Sequence, residues 1–463
     1  MVNKNKLAWI ILSFFLLVFF LIEFKGLNHL EPSDEHIYFY MGKMISQGFL
    51  PYNDFFHAHP PLKVYIIALI FKLFGFNLII LKLIPLLCYL ISSFFLFKLI
   101  KEKFNEITAL LAVFLFLFSF RVMLEATYFM GMDITTMFLI IGYYYLFKIK
   151  YYKSGFFLGL AGLSGLYSLV PIVIIFVYLL IKNKSSFLKL LAGFSIFFII
   201  NILFFVLSKN YLVDVYLYHL LKPEVLSNRI DIFIEALKEN WLIFFSFFLF
   251  IILLIFKFVK KIELKNINIL YLSGVISLAY LLFLLSLNKI FNYYFVLLFP
   301  FLAIIGSYSI YYIFNSLIRY KIIYFIIVIF VIYIFWNISA DSLYLNQFDF
   351  DNFDNARVIA SYVEGQEGNL FGDDSTVPLI ALMANKEVAL DIIDSNDMVF
   401  ESKVVNLTDV LQKLEKQKVI MILRPLKGIG LINEMKLFVN KCELKKQVKD
   451  SLRGDFLIYK CSG

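Results

Sequence analysis

Residues 28–75 read NHLEPSDEHIYFYMGKMISQGFLPYNDFFHAHPPLKVYIIALIFKLFG. Four of the chain's five histidines, His29, His36, His57 and His59, fall here, with Asp34, Glu35 and Asp54 among apolar runs. Polar side chains crowded between such runs point to a site at the lipid–water boundary. Pro32-Ser33 opens a helix with Ser33 as N-cap and both acids in its first turn. Ile37, Met41 and Met44 or Ile45 recur at helical spacing, and Gly48 ends the element. The pattern predicts a short amphipathic helix lying on the membrane surface. Pro60-Pro61 opens a second helix, Leu62 to Phe74, closed by Gly75. With about thirteen residues, it is too short to cross a bilayer comfortably.

The rest of the chain explains why a membrane is expected. Of 463 residues 61% are hydrophobic and 17% charged, with 56 Phe and 29 Tyr. No soluble globule has interior enough for this, which makes the chain an integral membrane protein. Disorder, collagen, coiled coil and a small disulfide scaffold are excluded by the same composition. The net charge of +9 follows from lysines at the ends of apolar spans, so nucleic acid is not the expected partner. A cleaved signal peptide is not expected, because no small-residue site follows the first apolar stretch.

Apolar segments run over 7–22, 78–97, 107–123, 131–147, 155–181, 187–207, 241–256, 268–287, 293–313 and 322–338. Lipid requires them to be helices. Lysines cluster at 4–6, 98–103, 148–153 and 257–265, and Arg319 with Lys321 closes the series. Placing all of these in the cytoplasm satisfies the positive-inside rule. The segment 155–181 has lysines at both ends. A hairpin of two half-helices, broken at Gly159, Gly162, Ser164, Gly165 and Pro171, keeps both ends inside. Counted as two, it brings the total to about eleven membrane helices. The N-terminus is then cytoplasmic and the C-terminus extracytoplasmic.

This reading gives a transmembrane domain over 1–340, with exterior loops at 23–77 and 208–240, and a soluble extracytoplasmic α/β domain over 341–463. Candidate strands in the latter are 368-GNLFGDD-374, 388-VALDII-393, 418-KVIMIL-423 and 455-DFLIYK-460. Cys442 and Cys461 lie in this part and Cys88 in a span. A disulfide and two buried thiols are both compatible with that spacing. Asn406-Leu407-Thr408 is a glycosylation sequon and also a common chance match.

Each chemical candidate has a plain alternative. Asp34 and Glu35 in a first helical turn complement the helix dipole whether or not they do anything else. Their functional reading is a general base at the membrane surface, aimed at an acceptor hydroxyl. His57 and His59 are either interfacial side chains or groups that bind an anionic leaving group, as cations or with a metal.

Four pieces in order, Asp34-Glu35-x-x-Tyr38, Gly48-x-x-Pro51-Tyr52-x-Asp54, His59-Pro60-Pro61-Leu62 and Lys72-Leu73-Phe74-Gly75, resemble the first exterior loop of the GT-C glycosyltransferases. The branch they resemble is that of the protein O-mannosyltransferases and aminoarabinose transferases. The stretch 286-SLNKIFNYYFVLLFPFLAIIG-306 is similar to the family's late helix, where a basic or polar residue precedes a Tyr and a membrane Pro. The resemblance implies a multi-pass cell-membrane enzyme of the envelope, mannosyltransferase-like. Its donor would be a polyprenyl-phosphate sugar (hexosyl or pentosyl) and its acceptor a hydroxyl on protein, lipid or glycan. It implies Asp34 as catalytic base, Glu35 beside it, and transfer with inversion. The family places a cationic or histidine residue just before the Pro-Pro pair, here His59. Some members have an acid–Lys pair there. This chain has Ala58-His59, which sets a divalent metal ion of that branch in question.

Cleaving a polyprenyl phosphodiester leaves a second negative charge on phosphate, which needs fixed positive partners near lipid. Arg121 and Lys289 lie at exterior span ends and are candidates, with Tyr293 near Lys289. The alternative for Arg121 is pairing with Glu125. Asp133 opens the next span, where a carboxylate is costly unless used or paired; it is a candidate for acceptor or sugar hydroxyls. His219, in 216-YLYHLLKPE-224, stands in the other exterior loop, as a comparable histidine does in the aminoarabinose branch. A competing function is a transporter or flippase of lipid-linked glycans. Transporters show inverted repeats and mid-membrane charges, whereas the charges here cluster in exterior loops. No Rossmann or P-loop signature is present, so nucleotide sugars are not the expected donors.

Overall fold

The computed structural model describes residues 4–221, 226–260, 266–287, 289–317, 329, 332–333, 335–340 and 353–461. The chain is mostly helical and forms two compact units. One comprises Met1–Leu27, Lys82–Ile200 and Val225–Asn346. The other comprises Asn28–Leu81, Asn201–Glu224 and Gln347–Gly463.

Every apolar segment expected up to residue 313 is helical; the one at 322–338 falls largely outside the described residues. Among the described residues, Asn5–Asn28, Leu78–Lys103, Lys184–Leu207 and Ile267–Ser286 are long and apolar enough to cross a membrane. Arg229–Glu239 and Trp241–Ile255 form a bent pair with an angle of 89°. Shorter apolar helices include Glu106–Leu117, Met132–Phe147 and Phe299–Ile313. The 155–181 segment breaks near its expected centre. Helix Tyr151–Ser164 ends at Gly165, a single tight turn follows, and Leu169–Lys182 resumes.

Small residues set the helix packing in the first unit. Ser154 Oγ donates to the Gly142 carbonyl at 2.8 Å, which seats helix Tyr151–Ser164 on Met132–Phe147. Gly155 and Gly193 lie against each other's helix backbones, where a Cβ would collide. Packing of this kind replaces the hydrophobic effect inside lipid. Tyr143 is buried and its hydroxyl meets Ser273 Oγ at 2.9 Å.

In the second unit, the two loop helices form as the Pro and Gly punctuation predicts. They span Asp34–Ser46 and Leu62–Phe74, and Gly48 and Gly75 take φ of 102° and 66°. Gly42 fits beneath Ile67 where they cross. The first helix is not one-sided, however: Glu35 through Gly42 and Met44 are all buried. The C-terminal part carries a four-stranded sheet, β1 (Asn369–Gly372), β2 (Val419–Leu423), β3 (Glu443–Val448) and β4 (Phe456–Cys461), in the order β1-β2-β4-β3. β1 and β2 are parallel; the other pairs are antiparallel, with a bulge in β3 between Leu444 and Lys446.

Three of the four expected strands are present. The segment 388–393 is not a strand; Val388 makes an isolated bridge to Leu370, and a 3-10 turn at Ala389–Asp391 carries the chain away. β3, ELKKQV, is too polar to show in a hydropathy pattern. Cys442 and Cys461 are joined in a disulfide, clipping the start of β3 to the end of β4. Asn406 of the sequon is the N-cap of helix Leu407–Leu414, accepting from Thr408 N–H.

Candidate functional site

The loop 28–81, the segment 201–224 and the C-terminal part meet within one unit, and most sequence-predicted polar residues stand there. The two acids of the Asp34 helix differ in access. Asp34 is partly exposed, whereas Glu35 has no exposed surface and lies 3.9 Å from the His36 ring. His36 Nε2 donates to the Glu31 carbonyl at 2.9 Å, tying the first turn to the chain that enters it. Ser33 makes no side-chain cap.

One turn on, the Tyr38 hydroxyl bonds His59 Nε2 at 3.1 Å. Tyr52, with φ of +69°, donates from its hydroxyl to the His59 carbonyl at 2.7 Å. His219 lies against the same place: its ring centroid is 5.5 Å from that of His59, and its Nε2–H donates to the Ala58 carbonyl at 2.8 Å. That bond places the proton of a neutral His219 on Nε2. The His57 ring is 5.8 Å from both His59 and Tyr52. Thus the structure brings His219 to His57 and His59, from which it is far apart in the sequence.

His57 is fully buried. Burial, followed by the charge of Lys63, holds its pKa well below the ordinary histidine range, so its ring is neutral at pH 7. Lys63 is the cation here, with Nζ 3.4 Å above the Tyr38 ring centroid. Sequence reading passed over Lys63; its signal was its place directly after Pro60-Pro61-Leu62. Among the described residues, no three His, Cys, Asp or Glu side chains group so that they could hold a metal ion.

Asp214 was also missed. It lies in a π-helical turn, Val213–Leu217, and accepts a hydrogen bond from the His57 backbone. Burial raises its pKa to about 7 against that bond. A cavity of about 260 Å³ adjoins it, lined by Asp54, Asp214, Asp391 and Asp394 with Tyr52 and Phe56. No Lys or Arg lines it. Its field disfavours a phosphate and suits a cationic or hydroxyl-bearing group.

Deeper in the C-terminal part, Asp374 follows β1 and accepts from Asn396 Nδ2 at 2.7 Å. Burial, then the charges of Asp373, Asp34 and Asp394, raise its pKa to about 7. Asp34 therefore feels a carboxyl group more than three hundred residues away in sequence.

The remaining candidates belong to the first unit. Arg121 pairs with Glu239 at 2.6 Å and Glu125 at 3.6 Å, and its N–H donates to Asn240. Asp133 is 1% exposed in the first turn of its helix, behind Gly131 at φ of 85°. Lys289 lies over the Phe291 ring at 5.4 Å, and Tyr293 stacks on the same ring.

Residues 58–208 match the model of the dolichyl-phosphate-mannose-protein mannosyltransferase family. No curated protein sequence matches the chain. Among solved structures, the chain is similar to ArnT from Cupriavidus metallidurans in the apo state, with a TM-score of 0.63 and 14% identity over 99% of this chain and 98% of that one. Its likeness to the same protein bound to undecaprenyl phosphate has a TM-score of 0.64 and 14% identity over 98% of each chain. Archaeal oligosaccharyltransferase AglB from Archaeoglobus fulgidus, solved with an inhibitory peptide and a dolichol-phosphate, gives 0.53 and 12% over 100% of this chain and 75% of that one. At these identities the likeness is one of fold. The chain thus shares the fold of the solved ArnT and AglB, and its residues 58–208 match the mannosyltransferase family model, in line with the resemblance carried by residues 34–75.

Proposed function

We propose that the chain is an integral membrane glycosyltransferase. It moves a sugar from a polyprenyl-phosphate donor to an extracytoplasmic hydroxyl acceptor, with Asp34 as base. The observation that carries the assignment is the difference between the two acids: Asp34 is partly exposed and Glu35 is sealed. Only an accessible carboxylate can meet a substrate proton. In the reaction, the Asp34 carboxylate takes the acceptor's proton as its oxygen attacks the anomeric carbon from the face opposite the phosphate. The bond from that carbon to the phosphate oxygen breaks, and polyprenyl phosphate leaves with the electron pair. The anomeric centre is inverted.

His59 is the group we assign to the leaving phosphate within this unit, with the buried Lys63 supplying positive charge behind it over the Tyr38 ring, and Arg121 and Lys289 are candidates in the other. The acidic cavity suits the acceptor. Glu35, His57 and His219 support the site of this unit in this reading, and Asp133 and Tyr293 are substrate-binding candidates of the other unit. The polyprenyl phosphates named with the solved ArnT and AglB support the donor class. We further propose about eleven membrane helices, a cytoplasmic N-terminus, a transmembrane domain over 1–340 and an extracytoplasmic C-terminal domain over 341–463. The Cys442–Cys461 disulfide supports that orientation, because such bonds persist in oxidising compartments.

The test is a transfer assay in membranes with a panel of radiolabelled polyprenyl-phosphate sugars, comparing wild type with Asp34→Asn, with and without chelator. Label reaching an acceptor only with Asp34 intact is the expected result. A donor that changes leaflet without transfer would replace this reading with a flippase.

A further inference from the structure

We infer that the C-terminal part belongs to the transfer machinery, with Arg453 and Tyr40 as positioning residues that hold the Asp34 helix from both sides. The inference rests on Asp34 being the base. Three residues before Asp34, the Glu31 carboxylate accepts from Arg453 Nη2 at 2.8 Å and Nε at 3.2 Å. Arg453 is itself fixed. Its Nη1 donates to Asp450 at 3.3 Å, and its guanidinium lies 5.1 Å from the Phe353 ring centroid. Asp450 also accepts the Arg453 N–H at 2.7 Å and Asn355 Nδ2 at 3.2 Å, which makes the 450–453 turn a rigid mount.

Six residues after Asp34, the buried Tyr40 hydroxyl accepts the Val388 N–H at 2.9 Å and donates towards the Lys386 carbonyl at 3.5 Å. Between these anchors, the Asp34 helix packs against helix Val377–Met383.

The geometry explains an otherwise costly arrangement. The helix start has no side-chain cap at Ser33, a loss of about 1 kcal/mol in most helices. Glu31 is substantially buried, and burial raises its pKa against the pull of Arg453, Lys427 and Arg424. A helix needed only for packing would be served better by a local cap than by a desolvated ion pair. A carboxylate that must meet an incoming hydroxyl needs its place fixed to well under an ångström. Two anchors, one in the turn between β3 and β4 and one in the segment bridged to β1, supply that, and one helix turn alone does not.

The experiment uses the full chain in membranes and the transfer assay above, reading kcat and KM for the lipid donor. The variants are Arg453→Met, Arg453→Lys, Tyr40→Phe and Asp34→Asn. Arg453→Met lowers kcat by about 10- to 100-fold with KM nearly unchanged. Arg453→Lys restores part of the loss. Tyr40→Phe lowers kcat by a smaller factor. Wild-type kcat in Arg453→Met, or a change confined to KM, overturns the inference while an inactive Asp34→Asn leaves the base assignment standing. An active Asp34→Asn removes the base assignment and the inference with it. If Arg453→Met does not fold, Tyr40→Phe carries the test, because it deletes one hydroxyl; an unchanged kcat there overturns the inference.

Discussion

Arg424 donates to both carboxylate oxygens of Asp373, from Nε at 2.7 Å and Nη2 at 2.9 Å, with each side chain 3% exposed or less. Asp373 also accepts the Thr376 N–H at 3.1 Å, so the pair fastens the turn after β1 to the loop after β2. Removing one member leaves the other charge buried without its partner. Arg424→Met is expected to destabilise the C-terminal part by about 3–5 kcal/mol. The double replacement with Asp373→Asn is expected to cost less than Arg424→Met alone. Limited proteolysis and thermal melts of the four proteins measure the cycle; equal losses in the single and double variants would contradict it.

Because Arg424 is spent on Asp373, the adjacent Asp374 has no such neutralisation. Its folded-state pKa, about 7, lies above the unfolded value of 3.8. Between those values the native chain binds more protons than the unfolded one, so stability falls as pH rises from about 4 to 7. Asp374→Asn is expected to stabilise the protein at pH 8 by an amount on the order of 1 kcal/mol and to make no difference below pH 4. Melting temperature against pH for both proteins decides the matter, and parallel curves would refute it.

The disulfide closes a short loop, Cys442 and Cys461 being 19 positions apart in sequence. Loop-closure entropy for that length is worth about 3 kcal/mol. Reductant, or Cys442→Ser, is expected to lower the unfolding temperature of the C-terminal part, and reductant is expected to have no further effect on the variant. Labelling with a thiol reagent after denaturation gives the count: one free thiol, Cys88, before reduction.

Tyr38→Phe removes the hydroxyl that meets His59 and leaves the ring under Lys63. A hydrogen bond of this type contributes about 0.5–1.5 kcal/mol. Transfer is expected to fall about 2- to 10-fold, mostly through kcat if His59 faces the leaving phosphate. Lys63→Met removes the cation itself and is expected to cost more. A Tyr38→Phe loss larger than that of Lys63→Met would reverse the assignment.

The parts of this site that sequence made legible are those written in local chemistry. Pro60-Pro61 and Gly75 bound a helix because Pro fits a first turn and Gly a left-handed end, and the helix spans Leu62–Phe74. Asp34 and Glu35 are in a first turn for the same kind of reason. Their different burial was not legible, since it depends on what packs against the helix. The segment 388–393 reads as a strand because it is a short, almost wholly apolar run, yet Leu390 and Asp391 take φ of 56° and 55° and turn the chain aside. Neither is a residue that periodicity flags for a left-handed backbone. Arg453 and Glu31 are 422 residues apart. No spacing rule reaches across such a distance, so the anchors of the Asp34 helix were visible only in the fold.

The sheet also decides how the molecule behaves among its own copies. At one side, β1 is bridged by Val388, whose N–H is taken by Tyr40. At the other, β3 presents exposed Glu443 and Lys445, a bulge between Leu444 and Lys446, and a buried residue only at Val448. Charge and a kink are the means by which strands avoid recruiting a stranger. Proteins held in a bilayer drift in two dimensions with equivalent sheets at one height, a setting that favours edge-to-edge polymerisation. Among the described residues neither margin offers a straight, apolar template, so edge-to-edge pairing between neighbouring copies is disfavoured.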